Sequence, residues 1–356
     1  MSDKTMKTLD LEGLTTAQIK EVELFIESLK KKGKRRKRKI RDESVKMNLT
    51  DQDLEFLLYV YKYRLLTVKQ AYYFADGNRE NIIQPWQYAH RRFNKMWQNG
   101  YVRLIDTPNS FRKNHPNIYG LDKKGAIALE RKYGIDISNL KWTEKQKGVK
   151  SDWFIEHTLM ISEIMATIVH GCRSRKDLEF IYESELIENR PIKAEKKFHK
   201  RSWRYELKKG YQGLERDRVF GQEPDRAFGI RKFKKDGQIE TEKYFFLEAD
   251  RKTMPVKRVT FNRSSYFRHM VGYIASYRNR LYSQYWGFKN VRVLTVTGSE
   301  KRIQSMIDLN AELHPKKQGY GQFLFTHEKA INLDEKDNAF KEIWVDGTGQ
   351  MESLLD

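Results

Sequence analysis

Apolar residues recur at helical spacing between residues 49 and 133, which predicts a compact helical unit with a small β-ribbon. Leu54, Leu57 and Tyr61 follow Thr50, a favourable N-terminal cap, and Asp53 stands in the capping-box position. The predicted elements are a helix after Thr50, a short helix after Thr67, a helix over Trp86–Gln98, strands over Tyr101–Asp106 and Asn117–Leu121, and a helix over Lys124–Tyr133.

The order of these elements, a helix, a helix-turn-helix and two strands around a loop, is the winged-helix pattern. In that fold the third helix enters the major groove of DNA and the loop contacts the backbone or minor groove. The alternative is a helical domain whose polar face is only solvated, but the basic residues favour DNA binding. The candidate DNA-binding residues are Gln87, His90, Arg91, Arg92 and Lys95 on the helix, and Arg112 and Lys113 in the loop.

The second half of the chain alternates helical and strand-like segments, which predicts an α/β sheet with helices on both faces. Its basic insertion, residues 187–222, carries Phe198, Trp203 and Tyr205. This mixture could bind a single strand by phosphate contacts and base stacking, and a mobile loop is the equal alternative. The predicted divisions are a helix and basic tail over 1–48, a DNA-binding domain over 49–133, a linker over 134–150, an α/β domain over 151–346 and a tail over 347–356.

A hairpin centred on Asp236-Gly237 gathers carboxylates at its open end. Asp-Gly favours a two-residue type I′ turn, which fixes the pairing of the two flanking strands. Asp225 then lies opposite Glu248, and Asp250 lies on the same face two residues further on. The opposite face carries Phe228, Ile230, Phe245 and Leu247, which predicts a core face.

Three carboxylates on one face repel one another, because directly opposed Cβ atoms are only about 5 Å apart. A bound cation would offset this repulsion. Mg²⁺ prefers oxygen ligands, usually one or two carboxylates with water and substrate phosphate. The predicted metal ligands are therefore Asp225, Glu248 and Asp250, with a solvated acidic rim as the alternative.

The charge of the chain favours a polyanionic partner. Its 69 Lys and Arg against 48 Asp and Glu give a formal net charge of +21. Ten of the twelve residues from Lys30 to Arg41 are basic, including Lys34, Arg35 and Arg36, which we expect to contact phosphates without reading sequence. A solubility tail and a membrane-surface tract are the alternatives.

Cysteine content and hydropathy point to the cytoplasm. The lone Cys172 excludes an internal disulfide and fits a reducing compartment. No apolar run approaches the ~20 residues that a membrane-spanning helix needs. We therefore expect a cytoplasmic protein without a membrane partner.

The acidic residues fall in an order that resembles a nuclease core. A helix carrying Glu156 or Glu163 comes first, Pro224-Asp225 begins a strand, and Glu248-Ala249-Asp250 ends the next. This order resembles the PD-(D/E)xK nuclease superfamily. With the winged-helix pattern in front of it, and the string from Phe246 to Arg251, the chain resembles the replication-relaxation family, which includes MobC-type plasmid mobilisation proteins.

The resemblance implies a metal-dependent DNA endonuclease or relaxase that uses Mg²⁺ or Mn²⁺. It assigns the metal to Asp225, Glu248 and Asp250. Asp250 stands where the superfamily has lysine, so Lys252 is the candidate for the positive charge at the transition state. Glu156 and His157 are further candidates. If cleavage proceeds through tyrosine, Tyr266, Tyr273 and Tyr277 are candidate nucleophiles, and the sequence does not select one of them.

Two functions follow as hypotheses. The first is a relaxase-like endonuclease of a mobile element that recognises a duplex site by the winged helix. The second is a non-catalytic replication accessory factor or regulator with a degenerate nuclease fold. The resemblance leaves open a homodimer or a partner protein from the same mobile element.

Overall fold

The structure is a computed structural model that describes residues 41, 44–76, 85–105, 116–136, 152–191, 201–251, 254–258, 261 and 263–356. The predicted basic tract with Lys34, Arg35 and Arg36 lies outside the described residues. The same holds for Arg112 and Lys113, for Lys252 and for most of the predicted linker.

The first unit contains four helices and three short strands among the described residues. They are α1 (Asp51–Tyr63), β1 (Leu65–Thr67), α2 (Val68–Asp76), α3 (Pro85–Gln98), β2 (Val102–Leu104), β3 (Ile118–Leu121) and α4 (Lys123–Tyr133). The strands form an antiparallel sheet in the order β1-β3-β2. The sequence pattern missed β1, because its three residues are all buried and show no polar alternation.

The start of α1 has the predicted capping box. The Thr50 side chain accepts a hydrogen bond from the Asp53 backbone N–H, and Asp53 Oδ2 accepts one from the Thr50 N–H at 2.7 Å. Two of the orphan donors at this helix end are thereby satisfied. The cap fixes where α1 begins, and Phe56, Leu57 and Val60 then face the core of the unit.

The second unit is built on a seven-stranded mixed sheet. Its elements are α5 (Asp152–Arg173), β4 (Leu178–Ile181), α6 (Glu183–Glu188), β5 (Trp203–Leu207), β6 (Arg218–Gln222), β7 (Arg226–Phe233), β8 (Ile239–Asp250), α7 (Tyr266–Arg278), α8 (Leu281–Trp286), β9 (Arg292–Thr297), α9 (Glu300–Leu313), β10 (Phe323–His327), β11 (Trp344–Asp346) and β12 (Met351–Glu352). The strand order is β12-β11-β10-β9-β8-β7-β4, and β8, β9 and β10 run parallel. The α/β class predicted from the sequence is confirmed.

The two faces of this sheet are covered by different helices. Apolar residues of α5 pack with Phe228, Ile230, Phe245 and Leu247, the four residues predicted as a core face. On the other face, α7 packs over Ala227, Phe246 and their neighbours. Residues 347–356, predicted as a tail, instead add β12 to the sheet edge and bury Leu354.

The central hairpin has the predicted register but a different turn. Backbone bonds from Gly237 N to Lys234 O and from Lys234 N to Gln238 O enclose a three-residue loop, and only Gly237 has a positive φ, of 83°. The two-residue type I′ turn was therefore wrong. A bulge between Lys232 and Phe233 shifts the pairing back by one residue, so that Arg226 opposes Leu247 as expected.

The basic insertion packs against the unit where its structure is described. β5 and β6 form a two-stranded sheet, and Trp203 and Tyr205 are buried against α7, with Trp203 Nε1 donating to Ser276 Oγ at 2.8 Å. These two aromatic rings are core residues, so of the two alternatives the burial disfavours base stacking by Trp203 and Tyr205. Phe198 lies outside the described residues.

The sequence pattern predicts one long helix over Ser264–Tyr285, where the structure has two. Ser265 caps α7, which ends at Arg278, and α8 begins after Arg280, whose φ of 54° breaks the helical path. This break lets Tyr282 turn back, so that its hydroxyl donates to the Tyr273 carbonyl at 2.7 Å. The position of Tyr273 on α7 is thereby fixed beside the sheet.

Candidate active site

Asp225 and Glu248 lie side by side at one end of the sheet. Asp225 directly precedes β7 and Glu248 is near the end of β8, and the hairpin register brings the two positions opposite each other. Asp225 Oδ2 accepts a hydrogen bond from the Ala249 backbone N–H at 2.8 Å. The Asp225 side chain is 23% exposed and that of Glu248 14%, so both remain in contact with solvent.

Glu248 is held by residues of α7. The Tyr273 hydroxyl donates to Glu248 Oε1 at 2.5 Å, and His269 Nδ1 lies 3.6 Å from the same oxygen. Tyr273 is 1% exposed. A carboxylate that is this well enclosed keeps one orientation, which is what a site that positions a ligand requires.

Asp225 is approached from the opposite helix layer by His157. His157 Nε2 lies 3.2 Å from Asp225 Oδ2. The imidazole is stacked on Trp153, with ring centroids 5.2 Å apart and planes within 6° of parallel. His157, an additional candidate from the sequence, therefore lies at the carboxylate pair, because the first turns of α5 reach the end of β8.

Three residues of this cluster, Glu248, His157 and His269, have shifted pKa values. Burial raises the pKa of Glu248 and the Asp225 charge raises it further, although His269 and Tyr273 oppose the shift. Burial alone would lower the pKa of His157 and His269, but bonding to Asp225 and Glu248, respectively, outweighs it and both pKa values are raised. Perturbed pKa values of this kind are typical of functional clusters.

Asp250 does not join this pair as a free ligand. Both of its oxygens accept hydrogen bonds from Arg302, one from Nη2 at 2.8 Å and one from Nε, and Thr297 Oγ1 donates at 2.8 Å. A carboxylate that is only 8% exposed needs such pairing, since a buried charge without a partner is costly. Of the three acids predicted to bind metal, Asp225 and Glu248 therefore lie together without Asp250.

Without Asp250, the two carboxylates of Asp225 and Glu248 still satisfy what Mg²⁺ usually takes from a protein, which is one or two carboxylates. Across the described residues, no group of three or more His, Cys, Asp or Glu is arranged to hold a metal ion. Asp225 and Glu248 nevertheless supply the two carboxylates with which Mg²⁺ is commonly bound when water and substrate phosphate complete its shell. The chemistry of this donor pair therefore fits a metal that is shared with substrate.

Two of the other candidates, Glu156 and Tyr266, are engaged elsewhere. Glu156 forms an ion pair with Arg251, whose Nη1 donates to the Trp153 carbonyl at 2.9 Å. Tyr266 is 3% exposed, its hydroxyl lies 2.7 Å from Thr295 Oγ1, and burial raises its pKa. A buried phenol with a raised pKa is a poor nucleophile, which disfavours Tyr266 in that role.

The third helix of the first unit presents only part of the predicted polar face. Gln87, Arg91 and Lys95 are exposed, and His90 is half-buried beside Trp86, which is 48% exposed. Arg92 is not free for DNA, because its Nε donates to Asp53 Oδ1 at 2.8 Å and Nη2 donates to the Asn48 carbonyl. Arg92 instead joins α3 to the cap of α1.

Comparison with known proteins gives one match. The family model described as replication-relaxation matches residues 57–283, which is 227 of the 356 residues. No curated protein and no solved structure matches the chain significantly. The matched range begins in α1 and ends in α8, so it contains both the exposed face of α3 and the Asp225–Glu248 pair.

Proposed function

Because this chain belongs to the replication-relaxation family, we propose that it acts in replication or mobilisation of a mobile element by binding DNA and cleaving it at a recognised site. The observation that carries this proposal is the Asp225–Glu248 pair, half-enclosed at the end of two central strands with perturbed ionisation around it. A metal-dependent endonuclease of the PD-(D/E)xK type makes use of such a pair.

The first unit would recognise the DNA as a winged helix. The order α1-β1-α2-α3-β2-β3-α4 with an antiparallel β1-β3-β2 sheet supports this interpretation. In it, α3 enters the major groove and Gln87, Arg91 and Lys95 reach the DNA from its exposed face. Arg112 and Lys113 in the wing, and the basic residues near the N-terminus, remain predicted phosphate contacts.

The catalytic chemistry would combine a divalent cation with residues of this chain. Mg²⁺ or Mn²⁺ bound by Asp225 and Glu248 would polarise the scissile phosphate and activate a water molecule. Tyr273 fixes Glu248 by its hydrogen bond, and His157 lies where it can hold Asp225 or exchange a proton with it. Lys252 remains the predicted source of positive charge at the transition state.

A second function is favoured by the surroundings of Asp250. Where the nuclease superfamily has lysine, this chain has an aspartate that is bound to Arg302 and lies away from solvent. Such a replacement is expected in a non-catalytic relative that keeps the fold to bind DNA. The second candidate function is therefore a replication accessory factor or regulator.

A nicking assay separates the two functions. Supercoiled plasmid bearing the native site is incubated with the full chain and Mg²⁺ or Mn²⁺, and nicked circles are measured. We expect Glu248→Gln to lower the nicking rate at least about 100-fold, since a side chain that binds a metal is lost. The control is Glu240→Gln, a change of an exposed carboxylate on the same strand.

Unchanged nicking by the Glu248→Gln protein would contradict the proposed site. Tight DNA binding with no cleavage, unaffected by Asp225→Asn, would support the accessory function instead. Loss of cleavage in both Glu248→Gln and Glu240→Gln would show that the assay reports folding or charge rather than the site.

A further inference from the structure

A basic groove lies where the two units meet, apart from the Asp225–Glu248 pair. It has a volume of about 660 Å³ and runs between the C-terminal end of α1, α6 and the start of β7. Among the described residues that line it, four are cationic, namely Lys62, Arg64, Arg201 and Arg226, and two are acidic, Glu183 and Glu188. The lining therefore has an excess of two positive charges.

Two of the arginines, Arg201 and Arg226, have loose contacts with their carboxylate partners. Arg226 Nη1 lies 3.9 Å from Glu183, beyond hydrogen-bond distance, and Nη2 donates to the Lys62 carbonyl at 3.2 Å. Arg201 shares the same Glu183 at 3.3 Å, and its Nε is buried without a hydrogen-bond partner among the described residues. Glu183 thus lies beside both guanidinium groups, and Glu223, 3.6 Å from Arg201, is a second carboxylate near them.

Burial also removes most of the water that would otherwise solvate the Arg226 guanidinium. The Arg226 side chain is 13% exposed, its guanidinium lies over the Tyr63 ring at 5.1 Å, and burial lowers its pKa. Charged groups taken out of water require a partner of opposite sign. A guanidinium pair facing a groove suits a phosphate, whose oxygens match the planar N–H fork.

Arg64 adds an exposed cation in a strained conformation. It ends α1 with φ 70° and ψ −50°, a region that side chains other than glycine rarely occupy. Residues held in such rarely populated backbone conformations cluster at active sites and ligand clamps. Glycine would fit this backbone conformation better than arginine does.

We propose that this groove binds a phosphate of the nucleic-acid backbone, with Arg64, Arg201 and Arg226 as its ligands. The proposal rests on the proposed function in so far as the chain must bind nucleic acid. Asp225 and Arg226 are consecutive and point to opposite faces of β7. The groove and the Asp225–Glu248 pair therefore lie on opposite faces of β7.

Arg64→Gly tests this groove, because the change removes the cation and relieves the backbone strain. The binding of labelled single-stranded and duplex oligonucleotides to the full chain is measured by fluorescence anisotropy at several salt concentrations, without divalent cations. We expect a weakening of at least about threefold at low salt. The slope of log K against log salt should fall by about 0.7 for a single strand or 0.9 for a duplex.

Arg280→Gly is the matched control, since Arg280 is also exposed and also has a positive φ, of 54°, but lies outside the groove. Thermal unfolding is measured in parallel, and both variants should be at least as stable as the original chain. Equal affinity and equal salt slope for the two variants would overturn the proposal.

The outcomes also separate this groove from the proposed function. If the original chain binds neither oligonucleotide, both fail. If it binds DNA and loses affinity on Arg91→Gln in α3 but not on Arg64→Gly, only the groove fails. A loss on Arg64→Gly that is restored by Arg64→Lys would support a phosphate contact by charge.

Discussion

At the residue scale, the partners of each carboxylate decide what it can do. Glu248 and Asp250 are two positions apart on one face of β8, yet they have different surroundings. Glu248 faces Tyr273, His269 and the solvent-accessible side of Asp225, whereas Asp250 is closed off by Arg302. Only the first is available to a ligand, although the two are equivalent in the strand pattern.

The Asp250–Arg302 pair leads to a stability prediction. Arg302→Met leaves a buried carboxylate without its cation, so we expect a loss of about 3–5 kcal/mol in the free energy of unfolding. Chemical denaturation measures it. The double variant Asp250→Asn, Arg302→Met removes the unpaired charge as well and should be less destabilised than Arg302→Met alone. A loss below about 1 kcal/mol for Arg302→Met would contradict a structural role for the pair.

Part of this site could be predicted from the residues. Period-two alternation and the hairpin placed Asp225 opposite Glu248, and the structure agrees. The partners of Asp250 and Glu248 could not be predicted, because Arg302 and Tyr273 come from helices whose packing on the sheet the sequence does not specify. Arg92 shows the same limit, since its partner Asp53 lies 39 residues away.

At the element scale, the central hairpin shows how two local features compensate. The three-residue loop displaces the pairing by one residue, and the bulge near Lys232 restores it. Because the two shifts cancel, the predicted register was correct although the predicted turn was wrong. The bulge itself could not be predicted, since a bulge residue has no sequence signature of its own. The break between α7 and α8 was missed for a similar reason, because Arg280 is not a residue that marks a positive φ.

The loop conformation predicts the effect of one substitution. Gly237 has a φ of 83°, and a Cβ there would meet no atom within 4 Å, so Gly237→Ala would act through backbone strain alone. We expect a loss of about 1–2 kcal/mol in the free energy of unfolding, measured by chemical denaturation. Gly221→Ala is the control, because that glycine also has open space but no positive φ. Equal stability of the two variants would contradict the assigned turn.

At the scale of the whole molecule, the first unit packs against helix α5 of the second unit. The Gln70 side chain on α2 donates to the Leu159 carbonyl on α5 at 3.1 Å, and Ser162 donates to the Leu65 carbonyl at 3.2 Å. The apolar residues of both units form one continuous cluster at this contact. The sequence predicted two units but not their packing, since each apolar stripe could have been satisfied within its own unit.

This packing joins the unit that we propose to bind DNA to the unit that we propose to cleave it. The joined units create the basic groove at the end of α1, close in sequence to Asp225 through Arg226.

Within the described residues, no helix is long and apolar enough to cross a membrane. The net charge of +21 is consistent with a long polyanion that contacts several of these surfaces together.

The central claim is that Asp225 and Glu248 together form a divalent-cation site in the complex with DNA. The most direct test is a Mn²⁺ titration of the protein–DNA complex, in which free Mn²⁺ is followed by electron paramagnetic resonance. We expect Asp225→Asn and Glu248→Gln each to weaken Mn²⁺ binding at least about tenfold, while Glu240→Gln leaves it unchanged. Mn²⁺ binding that is the same in all four proteins would contradict the account.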